Sequence, residues 1–171
     1  MSHEPLRILI LGGYGTFGGR LAQLLCDEQR VTLMIAGRSL QKAQTFCAAL
    51  PGKAVRVPVQ FDRDADLETQ LQVLQPDMVV DASGPFQVYG TDPYKVVEAC
   101  LNCGVHYLDL ADGSDFVQGI VHFDEDAKDK QLLVLSGASS YPVLTAAVVR
   151  ALAPGMQEIK EVWGGIAPSP Y

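Results

Sequence analysis

Hydrophobic runs long enough to cross a membrane are missing from this sequence. No stretch approaches the roughly 20 consecutive apolar residues that a membrane-spanning helix needs. The short apolar run at residues 8–11 is interrupted by Gly12, Gly13 and Gly15, too early for the hydrophobic part of a signal peptide. We therefore expect a soluble, cytoplasmic protein that has no membrane partner.

Basic residues are also in short supply. The chain carries 13 Lys and Arg residues against 20 Asp and Glu residues, which gives a formal net charge of -7. A protein that follows a nucleic-acid backbone needs a basic surface to neutralise the phosphates. The charge balance therefore argues against a nucleic-acid partner.

Cysteine and histidine are too few and too scattered to indicate a metal site. Cys100 and Cys103 form a single Cys-x-x-Cys pair, which could bind zinc or cycle between thiol and disulfide, but no second pair accompanies it. The pair also falls in the last turn of a predicted helix ending at Gly104, where cysteine commonly packs as a small hydrophobic residue. We favour packing and expect no metal. We interpret the isolated His3, His106 and His122 as structural or surface residues.

Apolar residues are plentiful, and their spacing predicts the fold class. Hydrophobic residues make up 48% of the chain and charged residues 19%, which suits one folded core. Short apolar runs alternate with longer amphipathic stretches, as in repeated βαβ units. The predicted strands are residues 7–11, 31–36, 54–60, 78–82, 106–110 and 132–135. We predict an α/β fold, a doubly wound parallel sheet with helices on both faces.

The helix between the first two predicted strands opens with a glycine motif. The first helix is predicted to turn one apolar face to the sheet, formed by Phe17, Leu21, Leu24 and Leu25. A later helix is predicted to start at Asp92 and Pro93. The motif G-x-G-x-x-G stands between strand and helix as Gly13, Tyr14, Gly15, Thr16, Phe17 and Gly18.

Each glycine of this motif has a physical role in binding a dinucleotide. Gly13 allows the tight turn, Gly15 lets a pyrophosphate approach the backbone, and Gly18 permits close packing of helix on strand. The N–H groups around Thr16 and Phe17 would meet the phosphate charge. The motif and its position therefore predict a Rossmann fold and a dinucleotide site at these residues.

The end of the second predicted strand decides which dinucleotide is expected. An acid there would bind the ribose 2′-hydroxyl of NAD and repel a 2′-phosphate, but the sequence reads Gly37, Arg38 and Ser39. Arg38 can pair with the phosphate, Ser39 can donate a hydrogen bond, and Lys42 follows one helical turn later. We therefore predict NADP(H) as the cofactor. The alternative for Arg38 is a solvated surface cation.

Two further strand ends are predicted to reach the same edge of the sheet. Asp62 follows the third strand and could accept a hydrogen bond from the adenine amino group, although an ordinary turn acid explains it nearly as well. Ser83, Gly84 and Pro85 follow the fourth strand in a turn of small residues that lets a cofactor pass close to the backbone. We predict these three as wall residues of the site.

Catalytic residues cannot be assigned from the pattern. Asp109, Asp112 and Gly113 follow the fifth strand and residues 136–140 follow the sixth, so both loops are expected to open toward the nicotinamide. A general acid could come from either loop, but a capping acid and a serine-rich helix start explain them equally well. The chain has no Tyr-x-x-x-Lys pair, which disfavours a self-contained short-chain reductase.

Taken together, four sequence segments resemble one family. They are residues 12–18, residues 36–39, the run Val-Val-Asp-Ala-Ser-Gly-Pro-Phe from Val79 with Tyr89 and Gly90, and residues 105–112. Over residues 6–153 the chain resembles the N-terminal NADP-binding domain of the saccharopine dehydrogenase-like family. The last two segments are the more specific, because the glycine motif occurs in many families.

The resemblance implies a pyridine-nucleotide oxidoreductase that acts on a small, amino-acid-derived molecule. It also implies a division into an NADP-binding domain, residues 1–153, and the start of a truncated substrate and dimerisation domain, residues 154–171, where Val162, Trp163 and Ile166 form a strand-like run. We expect a homodimer formed through that second domain, and no turnover of saccharopine or lysine by this chain alone. The alternative is a non-catalytic sensor or scaffold that binds NADP(H).

Overall fold

The computed structural model describes residues 4–86, 90–139 and 143–164. The strands are β1 (Leu6–Leu11), β2 (Val31–Gly37), β3 (Val55–Gln60), β4 (Met78–Asp81), β5 (His106–Asp109) and β6 (Val134–Leu135). The α-helices are α1 (Thr16–Leu25), α2 (Leu40–Ala49), α3 (Leu67–Leu74), α4 (Lys95–Cys103), α5 (Ser114–Gly119), α6 (Asp124–Asp129) and α7 (Thr145–Leu152), and a 3-10 helix spans Ile120–Phe123.

The six strands form one parallel sheet in the order β3-β2-β1-β4-β5-β6. The strand order reverses direction between β1 and β4, which is the topological switch point of a doubly wound sheet. The predicted fold class is thereby confirmed.

Hydrophobic side chains alternate between the two faces of the sheet because successive strand residues point in opposite directions. Leu9, Met34 and Val79 face a core cluster that includes residues of α3 and α4. Ile10 and Ile35 belong to a second cluster, which includes residues of α1 and α2. Helices therefore cover both faces, as predicted.

The first helix buries only part of the face that its large side chains predict. Phe17 is 70% exposed and Leu24 is 68% exposed. The buried residues of α1 are the small ones, Gly18, Gly19 and Ala22. The prediction was wrong for Phe17 and Leu24, whereas Leu21 and Leu25 are half-buried and pack against the second core cluster, as predicted. Where this helix lies close to the glycine turn, only small residues fit between them.

The last strand is shorter than predicted, and the fourth helix starts later. Only Val134–Leu135 of the predicted 132–135 pair with β5, through Tyr107 and Leu108. This strand lies at the edge of the sheet and follows Gln131, whose φ of 56° is left-handed and takes the backbone out of a strand conformation. The helix α4 begins at Lys95 rather than at Asp92 and Pro93, and it ends at Gly104, which has a φ of 71° as a left-handed cap.

Residues 157–164 contain no strand, contrary to the strand-like run expected from Val162 and Trp163. Val162 is 52% exposed and Trp163 is 87% exposed. A strand needs a neighbour to satisfy its backbone, and none of the described strands lies beside this segment. Ile166 lies outside the described residues. Within the described part of the chain, no helix is both long and apolar enough to span a membrane.

Cys100 packs in the core of the sheet-helix layer. Its side chain is completely buried. Burial raises the pKa of the Cys100 thiol well above its ordinary value, and burial likewise raises the pKa of Cys103. Both thiols are free. A thiol held in its protonated form is a poor nucleophile and metal ligand, which supports the packing interpretation.

Candidate functional site

The loop between β1 and α1 makes a tight turn at the carboxyl edge of the sheet. The N–H of Gly15 donates to the carbonyl oxygen of Gly12 at 2.8 Å, and the N–H of Gly13 donates to the Ala36 carbonyl at 3.0 Å. Gly12 has a φ of 70°, so the left-handed residue of the turn is Gly12 and not Gly13. A Cβ on Gly13 would lie 2.8 Å from the carbonyl oxygen of Ile10, so close packing, and not its own φ, requires glycine there.

The third glycine of the motif brings the helix against this turn. A Cβ on Gly18 would lie 2.8 Å from the carbonyl carbon of Gly12. This contact is too short, so any larger residue at position 18 would force the backbone of the turn or of the helix to shift. The geometry agrees with the close packing expected at Gly18. It also fixes the start of α1 beside the ends of β1 and β4, because a Cβ on Gly12 would in turn lie 2.9 Å from the Ala82 carbonyl oxygen.

The N-terminus of α1 lacks a side-chain cap. The cap residue is Gly15, which has no side chain that could accept a hydrogen bond, and the first turn has no acidic residue. The first N–H groups of a helix have no acceptor inside the helix and carry its positive dipole end. Thr16 and Phe17 therefore present N–H groups that suit an anion.

A cavity of about 380 Å³ lies on one side of this turn. It is bounded by the ends of β1 to β4 and the residues that follow them. The lining residues of this first cavity are Leu11, Gly12, Tyr14, Gly15, Gly37, Arg38, Phe61, Asp62, Arg63, Asp64, Ala82 and Ser83.

The loop from β2 to α2 is held from three directions. The Ser39 side chain accepts the N–H of Lys42 at 3.3 Å and so caps α2. The Ser39 N–H donates to the Tyr14 hydroxyl at 3.1 Å, and the Gln60 amide donates to the Arg38 carbonyl at 3.3 Å. Arg38 itself is exposed and lines the first cavity.

Beyond β3 the loop carries two acids and a basic residue. Asp62 lines the first cavity. Its Oδ1 accepts the N–H of Asp64 at 3.0 Å, a contact within the turn that is typical of an ordinary turn acid. Lys95 pairs with Asp64 at 2.7 Å and lowers the pKa of that carboxyl, to which Arg63 and Arg38 also contribute. The positive charges around Asp64 therefore favour its ionised form.

Arg63 is a site residue that the sequence reasoning missed. Its side chain is 20% exposed, lines the first cavity and lies 3.9 Å from the Oδ2 of Asp81, which is completely buried. The position directly after a strand end was a usable signal. It was overlooked because the run of three charged residues was interpreted as an ordinary turn.

A second cavity, of about 520 Å³, lies on the other side of the α1 N-terminus. It shares Ala82 and Ser83 with the first cavity and includes Gly84 and Pro85, so the predicted wall turn lies between the two. Its other lining residues are Thr16, Phe17, Phe86, Leu110, Asp112, Ala138 and Ser139. The exposure of Phe17 is thereby explained, since its ring forms part of this wall.

The two acids after β5 occupy different environments. Asp112 is exposed and lines the second cavity. Asp109 is completely buried, and its Oδ1 accepts the N–H groups of Ala111 at 2.9 Å and Gly137 at 2.8 Å and the Ser136 hydroxyl at 2.9 Å. The expectation that Asp109 faces an open loop was wrong, because the chain closes over it to satisfy these donors.

The remaining predicted polar residues are structural or lie elsewhere. The Nδ1 of His106 accepts the Leu133 N–H at 2.9 Å, which ties β5 to the segment before β6. His122 is exposed and its Nδ1 contacts the Gly119 carbonyl at 2.9 Å. His3, Tyr89 and Ser140 lie outside the described residues. Across the described ranges, no group of three or more His, Cys, Asp or Glu side chains could hold a metal ion.

The arrangement suits a dinucleotide. An extended two-part ligand could place one half in each cavity and its pyrophosphate at the uncapped helix start between them. Glycine at positions 12, 13 and 18 brings backbone together beside that start, where any Cβ would intrude. This is the crevice in which ligands bind in doubly wound sheets.

A family comparison identifies the chain. The model of the family described as "Saccharopine dehydrogenase NADP binding domain" matches residues 8–154. The chain belongs to this family. NADP(H) is accordingly its cofactor, and the family is one of oxidoreductases. No match was found among curated protein sequences.

Solved structures of reductases share the fold of this saccharopine dehydrogenase NADP-binding domain. A 3-ketoreductase from Actinomadura kijaniata, in complex with TDP-benzene and NADP, is 18% identical, with a TM-score of 0.58 over 88% of this chain and 43% of that chain. Biliverdin reductase from Synechocystis, in complex with biliverdin and NADP+, is 19% identical, with a TM-score of 0.55 over 90% of this chain and 44% of that chain.

A third structure, the RhlG/NADP active-site complex of Pseudomonas aeruginosa, is 13% identical and has a TM-score of 0.62. It is covered over 71% of its length by 79% of this chain. By contrast, the chain spans less than half the length of the 3-ketoreductase and of the biliverdin reductase. At these identities the likeness establishes a shared fold.

Proposed function

We propose that this chain binds NADP(H) for an oxidoreductase that transfers a hydride to or from a small, amino-acid-derived substrate. The observation that carries the proposal is an uncapped helix start between two cavities, with an arginine and no carboxylate directly after β2. NADP(H) supplies hydride transfer when bound. The chain's own residues bind the cofactor, orient it and set its charge preference.

The glycine turn is the pyrophosphate site in this proposal. Gly13, Tyr14 and Gly15 provide a backbone surface, and the N–H groups of Thr16 and Phe17 provide the charge complement. Gly18 holds the helix in place for this purpose, since its close approach to Gly12 fixes where those N–H groups lie.

The adenosine half is assigned to the first cavity. Arg38 and Ser39 would contact the 2′-phosphate, because they directly follow β2 and line or adjoin that cavity. Asp62 would accept a hydrogen bond from the adenine amino group through its Oδ2, because its Oδ1 accepts the Asp64 N–H.

The nicotinamide half is assigned to the second cavity. Ser83, Gly84 and Pro85 would form its wall on the β4 side, facing Phe17 on the helix side. Asp112 and Ser139 are the polar groups that line this cavity near the expected reacting atoms. Neither is assigned a catalytic role.

The substrate is assigned to a separate domain that follows residue 153. Support comes from the share of the 3-ketoreductase and biliverdin reductase chains that this fold covers, 43% and 44%. Large apolar side chains on both sides of residue 153 are also exposed, with Leu144, Leu152 and Met156 each at least 60% exposed. In this proposal the chain alone binds cofactor but turns over no saccharopine or lysine.

Calorimetric titration of the purified chain with NADPH and NADH tests the proposal, with Arg38→Ala as the informative variant. Loss of a charge-assisted contact should raise the dissociation constant of NADPH roughly tenfold to a hundredfold, and that of NADH much less. Arg30→Ala is the matched control, because Arg30 is an exposed arginine paired with Glu28 at 2.7 Å.

Two results would count against the proposal. If neither cofactor binds the wild-type chain, the dinucleotide site is wrong. If Arg38→Ala leaves the dissociation constant of NADPH unchanged, or raises those of NADPH and NADH equally, Arg38 does not bind the 2′-phosphate. The variant Arg30→Ala should bind both cofactors as the wild type does.

A further inference from the structure

We propose that the hydroxyl of Tyr14 is a specificity-determining group, which donates a hydrogen bond to the 2′-phosphate of the cofactor. The inference rests on the proposed function and goes beyond the glycine motif, in which Tyr14 occupies a variable position. It follows from where the ring lies, what its hydroxyl already accepts, and what the hydroxyl still has to donate.

The Tyr14 ring bridges the glycine turn and the end of β2. A Cβ on Gly37 would lie 2.6 Å from both Cε1 and Cζ of Tyr14, so the ring covers the position that a side chain at Gly37 would take. The side chain of Tyr14 therefore leaves the pyrophosphate turn and reaches the residue immediately before Arg38. Glycine at position 37 is what lets the ring reach so far.

At that point the Tyr14 hydroxyl meets the start of α2. Its oxygen accepts the N–H of Ser39 at 3.1 Å. This N–H is the one that a phosphate at the end of β2 would otherwise meet directly, because Ser39 is the cap residue of α2. The hydroxyl thus stands between the helix start and the cavity.

The hydroxyl has one proton of its own to donate. A phenol can accept a hydrogen bond and donate another at the same time. Among the described residues, no hydrogen bond donated by the Tyr14 hydroxyl is found. Accepting the Ser39 N–H also polarises the O–H, which makes it a better donor toward an anion.

The first cavity is where this proton can be used. Tyr14 and Arg38 both line it, on either side of Gly37. NADP(H) differs from NAD(H) only by the 2′-phosphate, which the proposed function assigns to this end of the cavity. A phosphate oxygen there would accept from the guanidinium and from the phenol, and hydrogen bonds to a charged acceptor are the stronger kind.

The test is a titration of Tyr14→Phe with NADPH and NADH. Phenylalanine keeps the ring over Gly37 and removes only the hydroxyl. We expect the dissociation constant of NADPH to rise about tenfold and that of NADH to change by less than about twofold. Adenosine 2′,5′-bisphosphate should lose affinity as NADPH does, whereas adenosine 5′-monophosphate should not, which isolates the effect from the nicotinamide half.

The matched control is Tyr94→Phe. The Tyr94 hydroxyl donates to the Phe116 carbonyl at 3.0 Å, and Tyr94 does not line the first cavity. This variant also loses one phenol hydroxyl and should keep the wild-type dissociation constants for all four ligands.

The outcomes separate this inference from the function on which it rests. If wild-type chain shows no preference for NADPH over NADH, the proposed function fails first. If the wild type prefers NADPH but Tyr14→Phe keeps the same ratio of dissociation constants, or weakens NADPH and NADH equally, the hydroxyl does not read the phosphate and this inference is overturned.

Discussion

Asp109 is a carboxylic acid in a place where an ionised group is costly. It is completely buried at the end of β5, and in the sheet register it lies beside Asp81, which is also completely buried. Burial raises the pKa of Asp109 above its ordinary value, although hydrogen bonds from Gly137, Ala111 and Ser136 oppose this shift. The Asp109 carboxyl therefore joins β5 to the loops that contain Ala111 and Gly137. Burial of its charge near neutral pH destabilises the fold.

We expect Asp109→Asn to be better tolerated than Asp109→Ala. Asparagine keeps an acceptor oxygen for the donors from Gly137, Ala111 and Ser136, whereas alanine leaves them unsatisfied and should cost roughly 2 to 4 kcal/mol in the free energy of unfolding. A carboxyl whose pKa is raised on folding stabilises the fold at pH values below its unfolded pKa, and that contribution is lost as pH rises through the folded value.

The wild type should therefore gain stability relative to Asp109→Asn as pH is lowered from 7 toward 4. Urea unfolding of the three proteins at several pH values measures this difference. A pH-independent difference between wild type and Asp109→Asn would show that the carboxyl titrates alike in both states.

At the scale of single residues, sequence reasoning located positions at strand ends but not their contacts. Arg38 and Asp62 were found because they follow predicted strands, and both line the first cavity. Asp109 was found by the same rule but is buried, since the rule gives the edge of the sheet and not the path of the next loop. The bridging role of Tyr14 depends on Gly37 and Ser39, residues that a linear motif does not connect to it.

Among the helices, α1 shows where hydrophobic period misleads. The large apolar residues of this helix suggested a buried face containing Phe17 and Leu24, and both are exposed. The buried face is set by Gly18, Gly19 and Ala22 because the helix crosses the glycine turn at close range. The hydrophobic period of a helix predicts its core face when full-sized side chains separate the helix from the sheet. At a dinucleotide-binding turn the helix start packs directly against the backbone, so small residues take that face.

The two adjacent glycines of α1 provide a test of this packing. A Cβ at Gly18 would lie 2.8 Å from the Gly12 carbonyl carbon, whereas a Cβ at Gly19 would lie 3.3 Å from the Phe46 ring, which can move. Gly18→Ala should therefore lower the free energy of unfolding by roughly 1 to 3 kcal/mol and weaken NADPH binding, because the turn must shift.

Gly19→Ala is the matched change. The gain in helix propensity, about 1 kcal/mol, offsets its small clash, so its stability should stay near the wild-type value. Chemical denaturation and NADPH titration of both variants measure these effects. Equal stability of the two would mean that the close approach at Gly18 does not constrain the fold.

Strand prediction succeeded in the interior of the sheet and was weakest at its edge. The strands β1, β2 and β4 form its centre and were found as continuous apolar runs, because both of their faces are covered. The edge strand β6 pairs through only two residues of the four predicted. Its ends depend on the loop before it, which sequence period does not describe.

For the molecule as a whole, the doubly wound parallel sheet could be predicted because right-handed crossovers and a glycine motif leave few alternatives, whereas the strand order comes from the structure. The two cavities on either side of the α1 N-terminus follow from that order, since the loops after β1 and β4 separate at the switch point. The sequence could not predict where the wall residues of the second cavity meet, because Phe86, Leu110 and Ala138 come from three separate loops.

A ligand that spans both cavities should stabilise the entire fold. It would join the loops after β1, β2, β4 and β5, and binding to the native state alone adds RT ln(1 + [L]/Kd) to the free energy of unfolding. At a hundredfold excess of NADPH over its dissociation constant this is about 2.7 kcal/mol, which for a chain of this size raises the melting temperature by roughly 5 to 10 °C.

At the same concentration NADH should raise the melting temperature less, and Arg38→Ala should reduce the difference between the two cofactors. Thermal unfolding followed by circular dichroism measures all of these shifts. A melting temperature that rises with NADPH and NADH alike would indicate binding through parts that the two cofactors share, which would remove the 2′-phosphate from the site while leaving the helix start and the glycine turn as its centre.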